Sequence, residues 1–173
     1  MITKTSNSEN FRITVDYTKN LKEMLANAGF SNDYDNPENW INEKNFPFPH
    51  NKSVKEEKVV MKLFRFNKHT ISATDGKANR ELKIRDITAA LKKMDTSGYR
   101  PATIFELLSF ATAYPEAQKQ FKIVAIGSFW RNDDVDYLGM PCLGQGFDKR
   151  KHLDLTWFDT PWNSKWLFLA ARK

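Results

Sequence analysis

Two hydrophobic periods divide this chain, and the point where one gives way to the other constrains its fold more than any single motif. Between residues 84 and 113 apolar residues recur at helical spacing: Ile84, Ile87, Leu91 and Met94 make one stripe, and Leu107, Leu108 and Ala111 another. From Phe121 to Ala171 the run turns strand-like, as in the alternation of Leu153, Leu155 and Trp157. Helices repeat every 3.6 residues and strands every two, so one stretch cannot serve both. Helices followed by a run of strands predict an α+β domain with the helices packed on an antiparallel sheet.

The first half fits the same plan. Residues 1–10 are polar and are expected to be disordered at the N-terminus. Phe11, Ile13, Val15 and Tyr17 share one face of a half-buried strand. Thr18 stands where it can cap a helix carrying Leu21, Met24, Leu25 and Ala28, which Gly29 ends. Asn36-Pro37 predicts a short helix bearing Trp40 and Ile41. Phe46-Pro47-Phe48-Pro49 must be extended, because each proline disfavours helix at the residue before it. Val59 to Phe66 reads as a second strand and Leu82 to Met94 as a helix. Thr103-Ile104-Phe105-Glu106 is a capping box, in which hydroxyl and carboxylate each take one free amide. Its helix runs to about Ala113, where Tyr114-Pro115 stops it. Four strands are expected after it, at Phe121–Phe129, Tyr137–Leu143, His152–Phe158 and Trp166–Ala171.

Size and composition set further bounds. A chain of 173 residues with 40% apolar content, thirteen Phe and five Trp can bury a core of its own. Residues 11–173 are therefore expected to form a single domain. Cys142 stands alone, so no intrachain disulfide forms, which points to a reducing compartment or an indifferent one, and a cytoplasmic setting is expected. The polar start shows no signal peptide, and no run approaches the roughly 18 apolar residues of a membrane span.

The search for chemistry returns little. His50, His69 and His152 are isolated, without Cys or His neighbours at metal-ligand spacing, so no metal and no cofactor are expected. Asp133, Asp134 and Asp136 could hold a calcium ion, but they lack the full loop pattern and read better as a solvated turn. No phosphate-binding loop, dinucleotide fingerprint or nucleophile elbow occurs. The one enzymatic arrangement on offer pairs Cys142 with His152 across adjacent strands. A small buried cysteine is the better reading.

Two sets of residues point instead to binding. The first is the C-terminal aromatic region, Trp130, Trp157, Phe158 and Trp162 with Asn163 and Lys165. Trp162 follows Pro161 in a polar turn. A large ring there either plugs the core or meets a partner, and the leading expectation is contact with a protein partner. The second set is basic. Residues 76–100 carry seven Lys or Arg against three Asp or Glu, although the whole chain has a net charge of only +6. Arg80, Lys83, Arg85, Lys92, Lys93 and Arg100 would serve an alternative role in nucleic-acid binding.

The segment Gly98-Tyr99-Arg100-Pro101-Ala102-Thr103-Ile104-Phe105-Glu106-Leu107, followed by Ile126-Gly127-Ser128-Phe129-Trp130 and Trp166-Leu167-Phe168-Leu169-Ala170-Ala171-Arg172, resembles the bacterial C-type-lectin-like domains. Those include the formylglycine-generating-enzyme type and the variable proteins of diversity-generating retroelements. The likeness covers residues 98–173, with the proline one place early. It implies a binding scaffold whose late loops and strands make the contact, Asp154 to Lys165 here. The formylglycine-generating chemistry needs a cysteine pair, and this chain has Cys142 alone, so that activity is not implied.

Overall fold

The computed structural model describes residues 10–30, 40–49, 54–65, 87–132, 137–146, 148–158, 160, 162 and 165–173. Eight strands in these residues form one sheet. They are β1 (Asn10–Asp16), β2 (Glu56–Arg65), β3 (Tyr99–Pro101), β4 (Lys122–Val124), β5 (Trp130–Asn132), β6 (Tyr137–Gln145), β7 (Lys151–Trp157) and β8 (Trp166–Arg172). The helices are α1 (Leu21–Asn27), α2 over residues 87–96, and α3 (Ile104–Ala113). Trp40 is helical and residues 41–46 form turns. The expected opening of that helix at Asn36-Pro37 lies outside the described residues.

The last strand is the central one. β8 pairs with β2 on one side and with β4 and β3 on the other. Six of its seven residues are buried. It runs parallel to β4, with Lys122 opposite Trp166 and Val124 opposite Phe168; the other pairings are antiparallel. The sheet is therefore mixed rather than purely antiparallel. After β4 the chain makes the β5–β6–β7 meander before returning to β8, and that long return allows a parallel pair. The expected strand Phe121–Phe129 is correspondingly short. It ends at Val124 and turns through Ile126–Ser128.

The helices cover both faces. One core gathers Phe11, Val15, Leu21, Met61, Ile104, Leu107, Leu108, Phe110, Ile123, Leu143, Leu153 and Leu169 under α1 and α3. On the other face Ile87 and Met94 of α2 pack with Phe64, Val124, Met140, Cys142, Trp162, Trp166 and Phe168. A strand sends alternate side chains to opposite faces, so a sheet apolar on both sides needs cover on both.

Local signals decide the ends of elements. Thr103 and Glu106 form the capping box expected of them. Asn20, not Thr18, caps α1, in a box with Glu23. Thr18 turns back instead and donates its amide to Asp16 Oδ1 at 3.0 Å. Hydrogen bonds from Thr18 and Lys19 hold the Asp16 carboxyl down, at about 2.

Candidate binding surfaces

Strand register brings together residues that lie far apart in the chain. Trp130 of β5 is opposite Gly139 of β6, which is opposite Trp157 of β7. The two tryptophans thus flank a glycine in one row. At roughly 4.8 Å per strand, their backbones are about 10 Å apart. A side chain on Gly139 would come within 3.4 Å of the Trp157 ring and 3.1 Å of Leu155. The missing side chain lets the Trp157 ring lean inward. Trp40 meets Trp130 edge-on, with ring centroids 4.7 Å apart. Phe129, next to Trp130 in the chain, is 62% exposed, and Trp40 is 43% exposed. Trp40 against Trp130, Phe129 preceding it in the chain and Trp157 in the same strand row mark out an aromatic ridge at this end of the sheet.

The remaining expected contact residues separate. Phe158 is half-buried against the second core. Lys165 is exposed, and Asn163 lies outside the described residues. Trp162 is only 4% exposed. Its ring packs 5.0 Å from both Trp166 and Phe168. Its Nε1 is buried without a hydrogen-bond partner. This corrects the expected contact role: of the two roles open to that ring, it takes the plug. The face covered by α2 needs a large apolar group there, and Trp162 supplies it.

The basic set is also divided. Arg80, Lys83 and Arg85 lie outside the described residues. Lys92 and Lys93 are exposed on α2. Arg100 is committed elsewhere. It donates to both carboxylate oxygens of Glu106, at 3.0 and 2.6 Å. Glu106 is fully buried and also accepts the Thr103 amide at 2.7 Å. The hydrogen bond to Glu106 holds the Arg100 guanidinium above its ordinary range. Arg100 thus locks β3 to the start of α3, which corrects its expected phosphate role.

The opposite face carries a groove of about 720 Å³. Trp166, Lys122, Gly144 and His152 cross its floor in one row over β8, β4, β6 and β7. The next row brings Cys142 opposite Asp154. Cys142 is buried, and burial pushes its thiol up to about 12 against the downward pull of Lys122. Such a thiol is protonated near neutral pH and is a poor nucleophile. His152 faces Gly144 rather than Cys142, and its Nε2 lies 3.7 Å from Asp148 Oδ1. The cysteine–histidine arrangement is therefore not built as a nucleophile with its base. Among the described residues no three His, Cys, Asp or Glu side chains gather as a metal site. Asp133, Asp134, Asp136, His50 and His69 lie outside those residues.

Trp40 and Phe129 of the ridge, and Lys122 and Gly144 of the groove, were not among the expected contact residues. Glycines facing large residues in neighbouring strands would have marked both places, but only once the register was known. Comparison with protein-family models, curated proteins and solved structures finds no match.

Proposed function

We propose that this chain is a non-catalytic binding module that captures a protein partner on the ridge formed by Trp40, Phe129, Trp130 and Trp157. One observation carries the reading: Trp40 and Trp130, from separate stretches, meet edge-on in the strand row that also holds Trp157, and Trp40 and Phe129 keep large exposed areas. Aromatic side chains combine large apolar area with few rotatable bonds, and they are enriched in the energetic centres of interfaces. The partner that fits is a segment presenting apolar side chains. The likeness of residues 98–173 to C-type-lectin-like domains supports the same reading, since such scaffolds bind through late loops and strands. A reducing, cytoplasmic setting accords with one free, buried cysteine.

The test places a photo-crosslinking side chain at Phe129 and compares capture by the native ridge with capture by Trp40→Ala and Trp157→Ala. Capture lost in both ridge variants, and retained by Lys92→Ala/Lys93→Ala, supports the proposal. Equal capture by native and ridge variants overturns it.

A further inference from the structure

The groove on the opposite face has a polarity that the ridge does not share. At one end Lys119, Lys122 and Lys165 all line it. Lys122 and Lys165 are backbone neighbours, because the Lys122 amide donates to the Lys165 carbonyl at 3.0 Å. The Lys122 ammonium is held 4.7 Å above the Trp166 ring, a cation–π contact that fixes it without neutralising it. Lys119 is shared with Glu116 at 2.7 Å. Toward the other end lie Asp154, exposed, and Thr156 and Thr160, whose hydroxyls are 2.9 Å apart. His152 and Thr156 lie four residue steps apart along β7, about 13 Å of groove. Half-buried Phe121 lies along the wall. Gln118, only 2% exposed, lines the same wall with an Oε1 that accepts no hydrogen bond.

Gly144 keeps the floor open between Lys122 and His152. A side chain there would meet the Lys122 stem at 3.7 Å and fill the space above the strand. The volume falls within the range of small-molecule sites, roughly 300–1,000 Å³. Cations at one end call for an anion. A carboxylate and two hydroxyls at the other call for a ligand rich in hydroxyls. An aromatic residue on the wall suits a planar group.

We infer that this groove binds a nucleoside monophosphate, with the phosphate among Lys119, Lys122 and Lys165 and the sugar hydroxyls at Asp154. Phosphate takes charge-assisted hydrogen bonds from the ammonium groups. Asp154 keeps one carboxylate oxygen on the Leu155 amide at 2.7 Å and offers the other to a sugar hydroxyl. The base lies against Phe121. This site is separate from the ridge and does not depend on it.

Isothermal titration of the full chain with the four nucleoside monophosphates, the parent nucleosides, ribose 5-phosphate and inorganic phosphate tests the inference. At least one nucleotide is expected to bind about tenfold or more tighter than its nucleoside and than inorganic phosphate. Lys122→Met keeps the stem over Trp166 and removes the charge, and Asp154→Asn removes the acceptor charge. Each is expected to weaken the nucleotide about tenfold while the melting temperature stays within a few degrees. Phe129→Ala is expected to leave nucleotide binding unchanged, so failure of the ridge does not disturb this result. No nucleotide binding overturns the inference, as does a Lys122→Met variant that binds normally. Inorganic phosphate as tight as any nucleotide would reveal an adventitious ion only. Ribose 5-phosphate as tight as the nucleotide overturns the assignment of a base to Phe121. Tighter binding of a single-stranded oligonucleotide, falling steeply with salt, replaces the small ligand by a nucleic acid.

Discussion

Arg100 grips Glu106 with two parallel hydrogen bonds, from Nη1 to Oε2 and from Nη2 to Oε1, at the junction of β3 and α3. The same carboxylate completes the capping box with Thr103. One buried group therefore ends a strand, starts a helix and neutralises an arginine. Glu106→Gln keeps the shape but removes the charge, and it loses one acceptor oxygen to an amide that can only donate. Breaking one partner of a buried pair costs about 3 kcal/mol or more. Chemical denaturation should show that loss. Thr103→Ala should cost about 1 kcal/mol, as for other caps. An unchanged midpoint in Glu106→Gln would show that Arg100 finds water as good a partner.

Trp162 should behave as a core residue. It fills the space between Trp166 and Phe168 on the α2 face of the sheet. Trp162→Ala is expected to lose about 3–5 kcal/mol of stability, seen as a marked drop in melting temperature. Trp162→Phe should recover part of it, and it removes the unpartnered Nε1. A melting temperature unchanged in Trp162→Ala would place the ring outside the core.

Gly127 should resist substitution. A side chain there would sit 2.6 Å from the Ala102 carbonyl oxygen and 2.8 Å from that of Pro101. The Gly127 amide also donates to the Ala102 carbonyl at 2.9 Å. Both obstacles are backbone, so the turn must move away from β3 and α3. Gly127→Ala is expected to cost about 1–3 kcal/mol, measured by thermal or denaturant melting. Ser128, whose hydroxyl accepts the Ile104 amide at 3.0 Å, should lose its hold on α3 in that variant.

Cys142 predicts an alkaline sensitivity. Burial raises the folded thiol from its ordinary value of 9.0 to about 12. Between those values the unfolded chain loses the proton and the folded chain keeps it, so stability falls as pH rises above 9. The slope approaches about 1.4 kcal/mol per pH unit over that window. Cys142→Ala should flatten the slope, although the smaller side chain lowers stability at neutral pH. Native Cys142 should also react slowly with thiol reagents until the protein unfolds. Rapid labelling at neutral pH would contradict its burial.

Asp16 predicts the opposite limb. Hydrogen bonds from Thr18 and Lys19 lower its folded carboxyl to about 2 from an ordinary 3.8. A depressed carboxyl contributes stability above its unfolded value and loses it as pH falls through the folded one. Melting temperatures of the native chain should therefore drop between about pH 4 and pH 2 more than those of Asp16→Asn. Equal acid profiles would show that the turn does not favour the charged form.

Elements whose signals are local are legible in the residues alone. The Thr103–Glu106 capping box places α3 correctly because both partners lie within one helical turn. The alternation of Phe11, Ile13 and Val15 places β1, because burial on one face repeats every second residue. The alternation of Leu153, Leu155 and Trp157 marks β7 in the same way, whereas β8 is a continuous apolar run buried on both faces. Thr18 was the wrong cap by two positions, because Asp16 competes for it and Asn20 has Glu23 at the matching spacing. Which strands meet is set by contacts between distant parts of the chain. No local signal sets β8 beside both β2 and β4, or makes the β4–β8 pair parallel; those follow from long-range packing of a sheet apolar on both faces. The same register set Trp130 and Trp157 about Gly139, and Lys122 beside Gly144. It also took Trp162 and Arg100 out of the surfaces where their residue types had pointed. A ring or a guanidinium reads the same in sequence whether it faces water or a partner inside the fold, and burial alone separates the two.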